Sequence, residues 1–399
     1  MIASIAAEGQ ATKSAPFGHA LAALADQRQD IVGLSADLSK YTDLHIFFAK
    51  AHPERFYQMG MAEQLLMSAA AGMAREGFVP FATTYAVFAS RRAYDFICMA
   101  IAEENLNVKI VCGLPGLTTG YGPSHQATDD LAIFRAMPNL MIVDPCDALE
   151  IEQAVPAIAA HQGPVYMRLL RGNVPLVLDE YGYKFEIGKA KTLRTGNEVL
   201  IISTGLMTMR ALEAAKELQA DGVDVAVLHV PTIKPLDEQT ILAEARKPGR
   251  LVVTAENHSI IGGLGEAVAT VLLRNGVTPT FRQIALPDAF LDAGALPTLH
   301  DRYGISTQAL RAQIKGLVIG FNLQGADSAP CKGASPFSRK IHITSGGPES
   351  PNGIYFRRHQ LLHKTGKRIF VHTLIIHRCQ GKCTKANLSL HRGHPSGHA

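Results

Sequence analysis

Gly60-Met61-Ala62-Glu63-Gln64 follows a short apolar strand pattern, Arg55–Met59, and opens a long alanine-rich helix, Ala62–Arg75. One carboxylate is thereby fixed at a strand-to-helix junction. A Glu in a first helical turn is favoured by the helix dipole, so a capping role is the open alternative for Glu63. Downstream come Thr83-Thr84-Tyr85-Ala86-Val87-Phe88-Ala89-Ser90-Arg91, then Gly122-Pro123-Ser124-His125-Gln126, then Arg168-Leu169-Leu170-Arg171-Gly172-Asn173. Their spacing is that of successive strand ends in one domain.

Outward from these strings, residues 14–173 alternate helix and strand patterns. Helices are predicted over Ala15–Gln27, Ala62–Arg75, Arg91–Glu104, Ala127–Met137 and Ala148–His161. Buried strands are predicted over Asp30–Ala36, Asn107–Leu114, Leu140–Asp144 and Val165–Leu170. Apolar runs separated by helices of 3.6 periodicity argue a parallel, doubly wound sheet, whose ligands lie beyond the carboxyl ends of the strands. A linker with Gly, Pro and Tyr spans 176–197, and a second α/β unit follows over 198–317. Its strands are Val199–Ser203, Val223–Val230 and Leu251–Ala255, and its helices Met207–Gln219, Asp237–Ala245, Leu264–Leu273 and Thr307–Lys315. Gly262-Gly263-Leu264-Gly265 opens one of these helices, where it serves either an anion or close helix-strand packing. The fold class expected is two doubly wound α/β domains, 1–175 and 198–317, with an irregular tail over 318–399.

Composition agrees with a globular protein. The 399 residues are 47% apolar, enough for large cores in two or three domains. No run of about 18 apolar residues occurs and the N-terminus lacks a signal pattern, so the default location is cytoplasmic, without a membrane partner. Six cysteines in such a chain, with Cys98, Cys112 and Cys146 in apolar patterns, read as reduced thiols rather than a disulfide framework. The net charge of +4 hides an asymmetry: from Val318 onward 12 Lys+Arg stand against 2 Asp+Glu, while the body carries −6. That tail lacks the apolar content to offset ordering entropy and reads as disordered or as a misread extension. His377, Cys379, Cys383, His391 and His394 can be drawn as a zinc site, but the CxxxC spacing matches no familiar finger. A basic tail on an acidic body leaves a non-catalytic binding protein as the alternative of another class, although no RNA-binding motif or amphipathic helix supports nucleic acid as partner.

Together, the strings around Glu63, Tyr85, His125 and Arg171 resemble the pyrimidine-binding half of the transketolase family of thiamine-diphosphate enzymes. The resemblance covers residues 1–317 and implies a role for each matched residue. Glu63 matches the acid that hydrogen-bonds the cofactor's aminopyrimidine and favours its imino tautomer. Tyr85 and Phe88 match positions that stack on that ring; taken alone they read equally as core aromatics at a strand end. His125 matches the histidine facing the substrate, as a proton shuttle or hydrogen-bond donor; otherwise it is a loop surface residue. Arg171 matches the arginine that grips the sugar phosphate. Asp37 matches a family acid near the cofactor at the subunit interface, and Arg91, Arg168 and Lys13 are further candidates for anion contacts.

Tyr121 departs from the family pattern, standing where transketolases usually carry an acid that selects the donor's hydroxyl configuration. Gly113 stands where they have a histidine. Lys13 and Tyr41 fall roughly where an arginine and a serine help to bind phosphate. The family also binds Mg²⁺ and the diphosphate through Gly-Asp-Gly, because a hard cation bridging phosphates needs oxygen ligands at a tight turn. No Gly-Asp-Gly occurs in this sequence. The resemblance therefore implies the C-terminal subunit of a split transketolase, in an α2β2 assembly with an N-terminal subunit that supplies the Mg²⁺ and diphosphate half. The reaction implied is transfer of a two-carbon ketol unit from a ketose phosphate to an aldose. The rival within the superfamily is the beta subunit of a 2-oxo-acid dehydrogenase; 1-deoxyxylulose-5-phosphate synthase shares Arg92-Ala93-Tyr94-Asp95 but carries all modules in one chain.

Overall fold

The strand Val79–Tyr85 is buried along all seven residues, as a strand must be when helices cover both faces of its sheet. The computed structural model describes residues 6, 9–45, 48–328, 354–362 and 368–376. The elements of the first half are β1 (Thr12–Ser14), α1 (Pro16–Gln27), β2 (Ile31–Ser35), α2 (Phe48–Ala51), β3 (Phe56–Gln58), α3 (Glu63–Arg75) and β4 (Val79–Tyr85). After them come α4 (Ala86–Arg92), α5 (Tyr94–Ile97), β5 (Lys109–Gly113), α6 (Asp130–Arg135), β6 (Met141–Val143), α7 (Ala148–Ala160), β7 (Val165–Leu169) and β8 (Asn173–Pro175). The second half holds β9 (Lys191–Arg194), β10 (Val199–Ser203), α8 (Leu206–Ala220), β11 (Val225–His229), β12 (Thr232–Lys234), α9 (Glu238–Ala245) and β13 (Leu251–Ser259). It ends with α10 (Leu264–Arg274), β14 (Thr280–Leu286), α11 (Leu296–Arg302) and α12 (Thr307–Ser328).

The first sheet runs β12-β6-β7-β5-β4-β2-β3 and is parallel except for β12. Its winding reverses between β2 and β4, which opens a crevice at their carboxyl ends. The second sheet runs β14-β13-β10-β11-β9, parallel except for β9. Alternation along the strands separates two apolar layers. Phe81 and Val111 face α1 and α7 through Phe17, Leu21 and Ile151, whereas Leu34, Ala82 and Ile110 face α3 through Leu66, Met67 and Ala70. Each layer continues through the second sheet, one under α8 and α12 and the other under α9 and α10. Full burial of such a Leu or Phe contributes about 1.5–3 kcal/mol.

Several elements differ from expectation. The predicted helix Arg91–Glu104 is instead α4, α5 and a π-helical turn at Cys98–Ala102, because Ala93 leaves helical dihedrals (φ −103, ψ 8). The helix expected over Ala127–Met137 is confined to α6. Strand β9 lies within the segment expected to be a linker. Strand β12, from the second half, completes the edge of the first sheet by antiparallel pairing with β6. Helix α12 continues past Leu317 with Val318 buried. In the tail, treated by itself, Ile354–Leu362 pairs antiparallel with Arg368–Ile376, where no regular structure was expected. His377, Cys379, Cys383, His391 and His394 lie outside the described residues.

Candidate active site

The crevice at the sheet reversal is lined by strand ends. Tyr85 ends β4 and caps α4, and Phe88 follows within the first turn, so their rings sit 5.8 Å apart with an interplanar angle of 38°. The segment after β5 returns His125 edge-on to both, at 6.3 Å from Tyr85 and 5.5 Å from Phe88. Tyr121 stands edge-on to His125 at 5.5 Å, and Tyr41, beyond β2, stands edge-on to Tyr85 at 6.5 Å. The His125 Nδ1 lies 2.9 Å from the Ser124 hydroxyl. Burial raises the Tyr85 phenol pKa, so it stays protonated.

Glu63 is the first residue of α3 and is 1% exposed. The N-cap position is Ala62, with no side-chain cap, so the carboxylate is not spent on the helix end. Both Glu63 oxygens instead accept from Arg92 Nη1, at 3.2 and 3.3 Å, and the Arg92 guanidinium lies 4.1 Å above the Phe88 ring. The Arg92 side chain is half exposed. Arg92 thus links the buried carboxylate to the aromatic cluster of Phe88, Tyr85 and His125.

Arg171, just past β7, completes the cluster, with its guanidinium 5.8 Å from the Tyr41 ring centroid. Its Nε and Nη1 are buried without a hydrogen-bond partner among the described residues. Such donors carry a desolvation cost until an acceptor arrives. Beside it, buried Asp43 accepts from Gly172 N at 2.8 Å; burial raises its pKa, against the pull of that amide and of the Arg171 charge. Gly113 lies at the same spot, where an added Cβ would sit 3.4 Å from Tyr41 O and 3.6 Å from Arg171 Cδ.

The other candidate cations are otherwise engaged. Arg91 grips Asp129 through Nε and Nη2 at 3.1 and 2.9 Å and donates to Pro123 O at 3.3 Å, so it clamps the His125 segment to α4. Lys13 is ion-paired with Glu152 at 2.6 Å. Arg168 is buried between Asp130 and Asp144, at 2.7 and 3.2 Å, and reaches Asn257 O in the second half. Although burial opposes its charge, these carboxylates raise its pKa above the ordinary value. It joins the two sheets and does not face the crevice. Asp37 is exposed, at φ 58, and exchanges hydrogen bonds with Gln58.

The glycine cluster at α10 is already filled by a carboxyl group of the chain itself. Glu256 accepts from Leu264 N at 2.6 Å and Gly265 N at 2.7 Å, and a Cβ on Gly263 would lie 1.9 Å from Glu256 Oε2. Cys146, Glu150 and His229 also approach within 4.8 Å. Glu150, however, accepts from the Cys146 amide, from Tyr183 and from His229, so that network closes without an ion. No helix among the described residues is long and apolar enough to cross a membrane. Arg92 and Asp43 carried no motif pointing to contact with the site, apart from the Arg92-Ala93-Tyr94-Asp95 string, whereas Tyr41 stood only roughly where a family serine helps to bind phosphate.

Two sheets are thus joined by a buried ionic seam, and an aromatic cluster with a nearby buried carboxylate lies at the first sheet's reversal. Residues 10–177 match the pyrimidine binding domain of transketolase, and residues 188–310 match the transketolase C-terminal domain. A transketolase family protein of Sinorhizobium fredii is 76% identical over 316 residues, 79% of this chain and 91% of that protein. A 6-deoxy-6-sulfo-D-fructose transketolase subunit of a Clostridium species is 39% identical over 71% of this chain and 88% of its own length. A solved split-gene transketolase, described as an inactive β4 tetramer, is 40% identical with a TM-score of 0.69, covering 76% of this chain and 97% of that one. The chain belongs to the transketolase family, a family of thiamine-diphosphate-dependent transferases.

Proposed function

We propose that this chain is the pyrimidine-binding subunit of a split transketolase that transfers a two-carbon ketol unit from an anionic ketose to an aldose. The observation that carries the reading is the buried Glu63 carboxylate at the start of α3, joined through Arg92 to the Phe88 ring, which clusters with Tyr85 and His125. Glu63 would hold the polar edge of the cofactor's aminopyrimidine, and Phe88 and Tyr85 its faces. Thiamine diphosphate supplies a carbon nucleophile that no amino-acid side chain provides. His125 then holds or returns a proton at the sugar oxygen, and Arg171 binds the anionic end of the substrate through its two unpaired donors.

The Mg²⁺ and diphosphate ligands are assigned to an N-terminal partner subunit, in an α2β2 assembly in the cytoplasm. Met61, Leu65, Phe96 and Met99, on and beside α3 and α5, are exposed apolar side chains, which suits a surface that a subunit covers. The solved relative's description as an inactive tetramer of one chain type accords with a subunit that self-associates when its partner is missing. The test is to co-purify the chain with its partner and screen ketose phosphates and a sulfonated ketose for thiamine-diphosphate-dependent cleavage. Cleavage with glycolaldehyde-unit transfer supports the proposal. Decarboxylation of a 2-oxo acid without ketose cleavage would move the chain to the dehydrogenase subunits.

A further inference from the structure

The segment that carries Tyr121 and His125 leaves β5 of the first sheet, yet much of what holds it comes from the second half of the chain. Leu117 is fully buried, and its peptide groups are gripped from that half on both sides. Its N–H donates to Asn257 Oδ1 at 2.9 Å, and its carbonyl accepts from His300 Nε2 at 2.7 Å. Asn257 Nδ2 also reaches Pro115 O at 3.4 Å. Three residues further on, Gly294 N donates to Gly120 O at 3.0 Å. The approach is so close that a Cβ on Gly120 would lie 2.0 Å from Gly294 O. On the far side of His125, buried Gln126 donates to Asp292 O at 3.1 Å. Contacts at 117, 120 and 126 thus bracket 121–125.

We infer that Asn257 and His300 are positioning residues for this active centre: the C-terminal domain is the mould in which the Tyr121–His125 turn is set. The inference rests on the proposed role of His125. The chemistry of His300 fits the task. Burial and then the Arg210 charge lower its pKa to about 4. A neutral ring accepts from Arg210 Nη2 at Nδ1, 2.8 Å away, and donates from Nε2 to Leu117 O. Because neither side chain is among those meeting the aromatic cluster, both act through the segment and not on substrate. Misplacing a reacting group by about 1 Å costs on the order of a hundredfold in rate.

The test compares His300→Ala, Asn257→Ala and Gly120→Ala with wild type, in the full chain assembled with its partner. Each should lower kcat by roughly tenfold to a hundredfold while leaving the apparent affinity for thiamine diphosphate within a few-fold. His300→Gln, which keeps a donor for Leu117 O, should recover most of the loss. Combined with His125→Ala, the His300→Ala change should have almost no further effect, since positioning an absent imidazole is worth nothing. A readout without activity runs alongside: amide hydrogen exchange should quicken across 117–126 in His300→Ala and remain unchanged across 63–75. Unchanged exchange in a folded variant, or full additivity with His125→Ala, overturns the inference. If wild type transfers no ketol unit, the functional reading fails, and the exchange comparison still decides whether the second half sets the turn.

Discussion

Two glutamates, one in each half, are both 1% exposed: Glu63 opens α3, and Glu256, on β13, reaches the N-terminus of α10. Glu256 is closed off: its oxygens accept from Leu264 N and Gly265 N at the start of α10, inside the second domain. Glu63 opens α3, makes no cap, and is bonded to a half-exposed arginine beside an aromatic crevice. Two arginines repeat the contrast. Arg168 spends its donors on Asp130, Asp144 and Asn257, whereas Arg171 has two buried donors with no partner among the described residues. Burial and a helix terminus do not distinguish a chemical group from a structural one. For the arginines the difference is whether the protein itself has satisfied the group's hydrogen bonds; for the glutamates it is whether the bonding partner is a buried backbone amide, as for Glu256, or a half-exposed side chain, as for Glu63.

The contrast breaks if the two glutamates behave alike. Glu63→Gln, nearly isosteric, should lower turnover of the assembled enzyme by at least about a hundredfold with fold and assembly intact. Glu256→Gln should leave turnover within a few-fold. Steady-state kinetics with size-exclusion profiles check both, and a Glu63→Gln enzyme near wild-type rate would return Glu63 to the role of a helix-end acid.

For the arginines, Arg171→Ala should raise KM roughly tenfold or more for a phosphorylated ketose and little for its unphosphorylated analogue, because the lost fork matters only where an anion is present. Arg168→Ala should act on stability instead, by about 3–5 kcal/mol, since it strands Asp130 and Asp144 in the interior. Denaturant unfolding measures the latter. Equal KM effects on both sugars would reject Arg171 as the anion anchor.

A smaller effect sharpens the account of Glu256. Burial raises its carboxyl to about 7 from an ordinary 4.5, outweighing the Gly265 and Leu264 amides. Between those values the native state keeps a proton that the unfolded chain has released. Its contribution to stability is therefore full below about pH 4.5 and is lost as pH rises through about 7. The thermal midpoint of wild type should fall relative to Glu256→Gln between about pH 5 and pH 8; a constant gap contradicts this. Smallest of all, removal of the chain after Ser328 should leave activity and assembly unchanged. The cut belongs there and not at Leu317, because α12 continues and Val318 is buried.

The parallel alternation and the strand-end strings were legible because Tyr85, Phe88, His125 and Arg171 lie in short segments whose neighbours declare the local structure. Strand β4 went unread as a strand because Pro80 and two threonines dilute its apolar run, although its last residues stood out. Strand β12 is three residues between Pro231 and Pro235, a pattern that reads as a turn until a sheet edge receives it. The roles of Arg91 and Arg168 were invisible for another reason: a cation's availability depends on partners such as Asp129 and Asp130, which only the fold brings to it. The same holds for His300, which meets Leu117 across 183 residues of chain.

The central claim is that this chain holds one half of a cofactor site. Isothermal titration of thiamine diphosphate with Mg²⁺ into the isolated, folded chain, and then into the chain with its partner, tests it directly. The account predicts weak binding to the chain alone and tight, Mg²⁺-dependent binding once the partner is present. Micromolar or tighter Mg²⁺-dependent binding to the isolated chain would contradict it.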